Sequence, residues 1–345
     1  MKKINKAIIA AVAILGLCLA AACDKSNPDP QTDPVVDFYL GGNEGGGEQQ
    51  TPVIYKNSAE LYRLDKGSSI VGIVKIGNDI IACGNTASGP VLWKNGVPSN
   101  TDYKAICKHF CDMMADGEDI YICGYSEDGE GVRRGVIIKN DKLVFTGDTD
   151  CIYEKMDMGV SGDIYVTGHN SIFCRLWRID TAWSSEQNIG TVASEFGDET
   201  IVLTDLYVGV KDITVSLTSE KIVDGQKVTR AYCWLDEERF PIADEGSTAE
   251  CTTLYNGLFF VGGSETVDGA KKARQWYNRK PIDMSEGCNA DSHVCLLHSG
   301  GYNLYQAIAS RGMIQLCRDG LLKEKINCTD DFNPVCWVVA KRILQ

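Results

Sequence analysis

The chain has 345 residues and a formal net charge of −13; 44% of its residues are hydrophobic and 23% are charged. This composition supports a buried core and excludes a largely disordered protein. The acidic balance argues against a DNA- or RNA-binding body, because phosphate binding uses clustered lysine and arginine side chains.

The N-terminus has the pattern of a signal peptide. Lys2, Lys3 and Lys6 precede an apolar run over residues 7–22, and the first acidic residue is Asp24. A basic segment, an apolar segment and small residues before a cleavage point are typical of export signals. The run is shorter than the roughly 20 residues that span a bilayer. We therefore predict a signal peptide over residues 1–22.

The apolar run ends in Leu-Ala-Ala-Ala followed by Cys23, which resembles a bacterial lipobox. The resemblance implies that Cys23 is lipidated and becomes the new N-terminus. It also implies an outer membrane lipoprotein that faces the periplasm or the cell surface, with the membrane as a partner through the lipid. The alternative is an ordinary secretory cut that leaves Cys23 unmodified, because small residues fit both outcomes.

Residues 23–51 have the composition of a linker. They contain Pro28, Pro30 and Pro34, and five glycines lie between residues 41 and 47. Such a segment has little to bury, and only residues 35–40 could form a short strand. We expect a flexible tether that ends where the folded domain begins, at residue 52.

A repeat runs through the rest of the chain. The segment at residues 77–84 (GNDIIACG) recurs at 117–124 (GEDIYICG) and at 161–168 (SGDIYVTG). Weaker copies begin at Asp212, Gly257 and Asn303. Counted from the motif residues Asp79, Asp119 and Asp163 and then from these three, the six copies are 40, 44, 49, 45 and 46 residues apart. Each copy is a turn followed by a β-rich run, which predicts a strand.

A second element follows each copy, and residues 91–96 (VLWKNG) show it most clearly. Residues 53–57 (VIYKN) form a seventh second element without a preceding strand, and residues 335–340 (VCWVVA) resemble that missing strand. The two ends of the chain should therefore pair with each other and close a ring, which removes exposed strand edges.

A repeat of this length with several short strands is typical of an all-β, four-stranded propeller blade. Residues 52–345 give 42 residues per blade for seven blades. We predict a seven-bladed β-propeller, with six blades as the alternative. The motifs also resemble those of secreted propeller lipoproteins of Gram-negative bacteria, a resemblance that implies architecture and not activity.

Bulky residues of the second element, including four of the six tryptophans, are expected to pack between blades. Trp183 lies off the pattern and is expected at the surface. Thirteen cysteines remain after Cys18 and Cys23, and we expect buried free thiols. Cys107, His109 and Cys111 alternate along a predicted strand and could share one face, but no fourth zinc ligand lies nearby, so no metal or other cofactor is predicted.

The loops between the two elements of each repeat emerge on one face of a propeller, and several of them are cationic. Cationic loops on an acidic body would attract an anionic or polar ligand. The predicted ligand-binding residues are Tyr125, Arg133, Arg134, His169, Lys271 and Arg274.

No catalytic residue is predicted, because the chain lacks a Gly-x-Ser-x-Gly elbow, a His-Glu-x-x-His pair and a phosphate-binding loop. The first hypothesis for function is a surface binding or scaffold protein for a glycan, a peptide or a protein partner. The alternative is an exported glycosidase or lyase that acts on polysaccharide at the central channel. Convergent carboxylates with perturbed pKa values at the channel would favour the enzyme.

Overall fold

The computed structural model describes residues 35–170, 172–194, 198–235, 237–289, 291–300 and 303–341. The predicted signal peptide over residues 1–22 and the predicted lipidation site Cys23 lie outside these residues. The first fourteen strands are β1 (Val36–Glu44), β2 (Thr51–Lys56), β3 (Ala59–Arg63), β4 (Ser68–Ile76), β5 (Asp79–Thr86), β6 (Gly89–Lys94), β7 (Val97–Pro98), β8 (His109–Asp116), β9 (Asp119–Glu127), β10 (Arg133–Lys139), β11 (Lys142–Asp150), β12 (Ile152–Met158), β13 (Ile164–His169) and β14 (Phe173–Ile179).

The second fourteen strands are β15 (Glu186–Ser194), β16 (Glu199–Val208), β17 (Ile213–Val223), β18 (Gln226–Leu235), β19 (Glu238–Glu245), β20 (Ser247–Tyr255), β21 (Leu258–Val267), β22 (Ala270–Tyr277), β23 (Lys280–Asp283), β24 (His293–Gly300), β25 (Asn303–Ser310), β26 (Met313–Arg318), β27 (Leu321–Asn327) and β28 (Asn333–Lys341). Two short 3-10 turns cover Gly47–Gln49 and Tyr103–Ala105. No helix within the described residues is long and apolar enough to cross a membrane.

The strands form seven four-stranded antiparallel sheets in a ring, which confirms the seven-bladed β-propeller and rules out six blades. Blade 1 has the order β28-β1-β2-β3, and blades 2 to 7 are β4–β7, β8–β11, β12–β15, β16–β19, β20–β23 and β24–β27. The first strands of neighbouring blades from 2 to 7 contact one another, so these strands line the axial channel.

Both ends of the chain build blade 1, as a closed ring requires, but the predicted pairing was wrong. The last strand, β28, lies beside β1 and not beside β2, which holds residues 53–57. The missing strand of the repeat is β1, whose sequence Asp37-Phe38-Tyr39-Leu40 follows the Asp-Ile-Tyr-Val pattern. The propeller therefore begins at Val36 and not at residue 52, and residues 36–44 are a strand with a buried surface and not a tether.

Polar side chains explain why the motif repeats. In blade 2, the Asn95 side chain accepts a hydrogen bond from the backbone N–H of Ile80 (2.9 Å) and donates one to Asp79 (2.8 Å). Lys94 forms an ion pair with the same carboxylate at 2.7 Å. Equivalent contacts join Asp37 with Lys56 and Asn57 in blade 1, and Asp119 with Lys139 and Asn140 in blade 3. The motif thus ties the start of the second strand to the end of the third.

The glycine that ends the motif in blades 2, 3 and 4 lies against the carbonyl of a β-bulge in the inner strand. In blade 2 the register shifts between Ile70 and Gly72, and a Cβ on Gly84 would lie 1.8 Å from the carbonyl oxygen of Ser69. Gly124 and Gly168 stand in the same relation to inner-strand carbonyl oxygens, at 2.0 and 1.8 Å. Only glycine permits this close approach of two backbones.

Most bulky side chains of the second element are core residues, as predicted. Trp93, Trp177, Trp234 and Trp276 are all 2% exposed or less. Trp183 was expected at the surface, but it is half-buried, with its ring centroid 6.1 Å from that of Tyr121. All thirteen cysteines among the described residues are free, and nine of them are buried, which confirms the expected free thiols.

Candidate functional site

The connections between the second and third strands of each blade lie on one face of the ring, together with the starts of the inner strands. We call this the loop face. Two depressions occupy equivalent positions on it, each between a loop of one blade and the inner strands of the next. The first, of about 610 Å³, lies between blades 2 and 3. The second, of about 350 Å³, lies between blades 3 and 4.

The blade 2–3 groove has cationic and polar walls. Lys104 and Lys108 line it on the approach to β8, and His109 and Tyr125 line it where β8 and β9 pair. Glu127 at the end of β9 lies 3.6 Å from the Lys108 ammonium. The His109 ring also contacts the Asn85 side chain, and burial lowers the pKa of His109 below its ordinary value.

The blade 3–4 cleft is lined by Arg133, Asp150 and His169, with Cys151 and Ile152 as its apolar part. The rigid rim depends on local hydrogen bonds. The Asp150 carboxylate accepts the backbone N–H of Arg133 at 3.2 Å, and the N–H of Cys151 donates to the carbonyl of Arg133 at 3.1 Å. Strand ends that are bonded to each other hold the side chains of the rim in place.

Tyr125 joins the two depressions because its ring contacts one lining residue of each. The His109 ring stacks on it with centroids 5.8 Å apart, and the Arg133 guanidinium lies 5.3 Å from its centroid. Glu127 lies 3.6 Å from Nε of Arg133. The contacts of Arg133 with Tyr125 and Glu127 restrict its side chain, which lines the blade 3–4 cleft.

His169 is held by a carboxylate from the inner strand. Glu154, the bulge residue of β12, contacts Nδ1 of His169 at 2.7 Å. This hydrogen bond raises the pKa of His169 above its ordinary value of 6.5, while burial and the charge of Arg133 oppose the rise. The contact leaves Nε2 as the remaining hydrogen-bonding atom of the ring.

The predicted ligand-binding residues therefore divide into two groups. Tyr125, Arg133 and His169 come together on blades 3 and 4. Lys271 and Arg274 lie on β22 of blade 6, and Arg274 is committed to Glu265 and Asp283 at 3.0 and 2.8 Å. Arg134 follows Arg133 on β10, where successive side chains point to opposite faces of the sheet. The structure does not bring these last three residues to the cleft.

The surroundings of Cys107 do not favour the metal site that was considered for Cys107, His109 and Cys111. The buried Cys107 thiol contacts the carbonyl oxygens of His109 and Tyr125 at 3.2 and 3.4 Å. Burial raises the pKa of Cys107 to about 12, which disfavours the thiolate that a metal needs. Within the described residues, no group of three or more His, Cys, Asp or Glu side chains is arranged to hold a metal ion.

The axial channel holds a second polar cluster that the sequence did not reveal. Asp112, Lys155 and Asp205 directly follow the bulge at the same position of the inner strand in blades 3, 4 and 5, and all three line a cavity of about 390 Å³. Glu250, the bulge residue of β20, lines the same cavity.

Two of the channel carboxylates connect neighbouring blades. Asp112 accepts the backbone N–H of Met113 at 2.9 Å and that of Met156, in blade 4, at 3.0 Å. Asp205 likewise accepts the N–H of Leu206 in its own blade and of Thr252 in the next, at 3.0 and 2.9 Å. Both oxygens of each carboxylate are therefore engaged by backbone donors.

The pKa values in the channel reflect burial and the central lysine. Burial raises the pKa of Asp112 and raises that of Asp205 to about 7, while Lys155 and the backbone donors limit both rises. Burial lowers the pKa of Lys155, but the charges of Asp112 and Asp205 more than offset this and the net shift is upward. Lys155 thus lies between two carboxylates that line the same cavity, and their charges favour its protonated form.

No protein-family model matches the chain, and no curated protein matches it. Among solved structures, the match to a puromycin-hydrolysing peptidase of Mycobacterium tuberculosis covers 83% of this chain and 53% of that one, at 10% identity and a TM-score of 0.49. The match to a puromycin hydrolase complexed with PGG covers 84% of this chain and 51% of that one, at 9% identity and a TM-score of 0.50.

The match to the β-propeller domain of the Trilobed protease from Pyrococcus furiosus covers 84% of both chains, at 13% identity and a TM-score of 0.42. The chain spans about half the length of the two hydrolases. Similarity at such low identity shows the propeller fold alone.

Proposed function

We propose that this chain is an exported, lipid-anchored propeller that binds a glycan, peptide or protein partner through the loop face of blades 2 to 4. The observation that carries the proposal is the pair of depressions joined by the His109, Tyr125 and Arg133 stack. An extended ligand can cross both depressions, and cationic side chains line each of them. Exposed, rigidly held polar side chains on loops are a common basis of recognition.

Replacing Arg133 with Ala tests this site. We expect about a tenfold loss of affinity for the partner, because one charge-assisted hydrogen bond to a ligand is removed. The melting temperature should change little, since the Arg133 side chain is 53% exposed. Partners found by a glycan array and by pulldown would be titrated by calorimetry against both forms.

Lys271→Ala is the matched control, because Lys271 is also an exposed cation at a hairpin but belongs to blade 6. It should bind like the parent. If Arg133→Ala retains full affinity and Lys271→Ala loses it, the binding surface lies on blade 6 and the proposed site is wrong.

The anchor is a separate part of the proposal and rests on the sequence before and after Cys23. Cys23→Ser should release the protein from the membrane fraction or leave it unprocessed, because the acylated thiol would be missing. Fractionation with a metabolic lipid label measures this. An unlabelled parent that fractionates with the membranes in the same way as the variant would contradict the anchor.

The alternative function is a glycosidase or lyase in the axial channel. It is favoured by the raised pKa values of Asp112 and Asp205, the kind of perturbation expected of acid–base groups. Against it, each oxygen of both carboxylates already accepts a backbone N–H, which ties these groups to structural roles. New reducing ends released from polysaccharide by the purified protein, and lost in Asp205→Asn, would favour the enzyme over the binding protein.

A further inference from the structure

The blade 3–4 cleft presents one permanent cation in a fixed position. Stacking on Tyr125 and the contact of Nε with Glu127 restrict the Arg133 side chain, and no contact of its two terminal nitrogens is found among the described residues. A guanidinium that is oriented but still has free donors is suited to a planar oxyanion, which it can bind with two hydrogen bonds.

His169 adds a second cation to the same cleft, but only while its ring is protonated. Its Nδ1 is engaged by Glu154, so its orientation is fixed, and its side chain is 35% exposed. When the ring is protonated, Nε2 is a charged donor beside Arg133. When the ring is neutral and Nδ1 keeps its proton for Glu154, Nε2 becomes an acceptor that repels an oxyanion.

We infer that the blade 3–4 cleft binds the carboxylate of a uronic acid unit in a glycan, held between Arg133 and protonated His169, and that the site weakens as His169 loses its proton. The inference rests on the proposed function and names the ligand class for it. The Glu154 side chain is a positioning group that fixes the His169 ring.

The ligand class follows from the remaining groups of the cleft. Asp150 uses one carboxylate oxygen for the backbone of Arg133 and is otherwise exposed, so it offers an acceptor for sugar hydroxyls. The apolar part of the cleft is limited to Cys151 and Ile152. A uronate needs two donors for its carboxylate and an acceptor for its hydroxyls, and Arg133, His169 and Asp150 supply these in one cleft.

The direction of the pH dependence follows from the groups that face His169. Glu154 on β12 favours the charged ring, and Arg133 on β10 disfavours it. Asp150 at the end of β11 shares the cleft, and Arg175 on β14 lies 3.8 Å over the Phe173 ring. Because the pKa of His169 is raised above 6.5, a uronate should bind well below this raised pKa and lose affinity as the pH rises through it.

Calorimetric titration of the purified chain with oligogalacturonate tests the inference. We expect affinity about tenfold higher at about pH 5.5 than at about pH 8.5. His169→Gln, whose side-chain amide cannot carry a charge, should show the weaker affinity at both pH values. His293→Gln is the matched control, since His293 forms a similar pair with Glu250 at 3.4 Å on the far side of the ring, and it should keep the parental pH dependence.

An independent readout is the NMR titration of the His169 ring in the parent. Bound oligogalacturonate should raise the pKa of His169, because a ligand that prefers the charged ring must favour protonation. Methyl-esterified oligogalacturonide, which lacks the charge, should leave it unchanged.

A parental pH dependence in His169→Gln, or an unshifted His169 pKa with ligand bound, would overturn the role of His169. Binding of a glutamate-rich peptide without binding of oligogalacturonate would overturn the glycan class. Either result would leave the proposed loop-face function standing, provided that Arg133→Ala still weakens binding of the partner. If Arg133→Ala left the affinity unchanged, both the proposed loop-face function and the uronate site would be rejected.

Discussion

Deleting residues 335–345 should lower the melting temperature of the whole propeller by about 10 °C or more. The deletion removes most of β28, the inner strand of blade 1, and exposes the edge of β1. It also removes Trp337, which stacks on Phe38, and Cys336, which packs against Gly41. Residues 335–337 line the axial cavity, so the loss would also open the channel on one side.

Differential scanning calorimetry of the parent and the truncated chain measures the effect, and adding a synthetic peptide of residues 331–345 is the control. Partial recovery of the melting temperature with the peptide would show that the lost strand, and not a changed unfolded state, causes the difference. A truncated chain that melts like the parent would mean that the ring does not depend on its closing strand.

The closure illustrates how far the repeat pattern could predict the fold. The polar motif of Asp79, Lys94 and Asn95 predicted strands and their period correctly, because those residues contact one another and must recur together. The first copy was missed at Val36–Glu44 because it lies among prolines and glycines. Two of those glycines, Gly41 and Gly42, are structural: a Cβ on either would lie within 3.0 Å of atoms of the closing segment.

The grouping of the candidate site residues in space was predictable only in part, for a similar reason. Connectivity places every loop between the two repeat elements on one face, which is why Tyr125, Arg133 and His169 could be named. It does not say which blades face the same ligand, so Lys271 and Arg274 were grouped with them although they lie on blade 6. The distance between two loops around the ring is set by how the blades are arranged in the closed ring. The sequence of a single repeat does not contain this information.

The inner strands were the least predictable part of the site. Glu154 and Lys155 owe their roles to the β-bulge, which places one residue against His169 and the next in the channel. A bulge leaves no mark in the sequence of its own strand. The glycine that ends the motif in blades 2, 3 and 4 was at most an indirect signal, because blades 5 and 7 form the same bulge opposite Leu217 and Ile308.

The second large effect concerns the channel. Lys155→Met should lower the free energy of unfolding by about 2 kcal/mol at about pH 8, because it leaves the half-buried carboxylates of Asp112 and Asp205 without the cation that lies between them in the cavity. Methionine has a similar length, so the loss should come from charge rather than from volume. The exposed Lys142→Met on β11 is the control and should change the free energy little.

The pH dependence distinguishes this explanation from a loss of packing. The pKa of Asp205 is raised from 3.8 to about 7 in the folded chain, so the folded state binds more protons than the unfolded state between these values, and the parent should lose stability as the pH rises through that range. Lys155 limits this rise in pKa. Without it both carboxylates should bind protons more strongly, and the decline should become steeper and extend to higher pH.

The difference between Lys155→Met and the parent should therefore be small at about pH 5, where Asp205 is protonated in both, and largest above about pH 8. Urea denaturation followed by tryptophan fluorescence at both pH values measures it. An equal loss at the two pH values would show that the Lys155 stem acts by packing alone. A loss confined to high pH would instead show that the charge of Lys155 stabilises the two ionised carboxylates of the channel. Asp112 could then connect blades 3 and 4, and Asp205 blades 5 and 6, while both are charged.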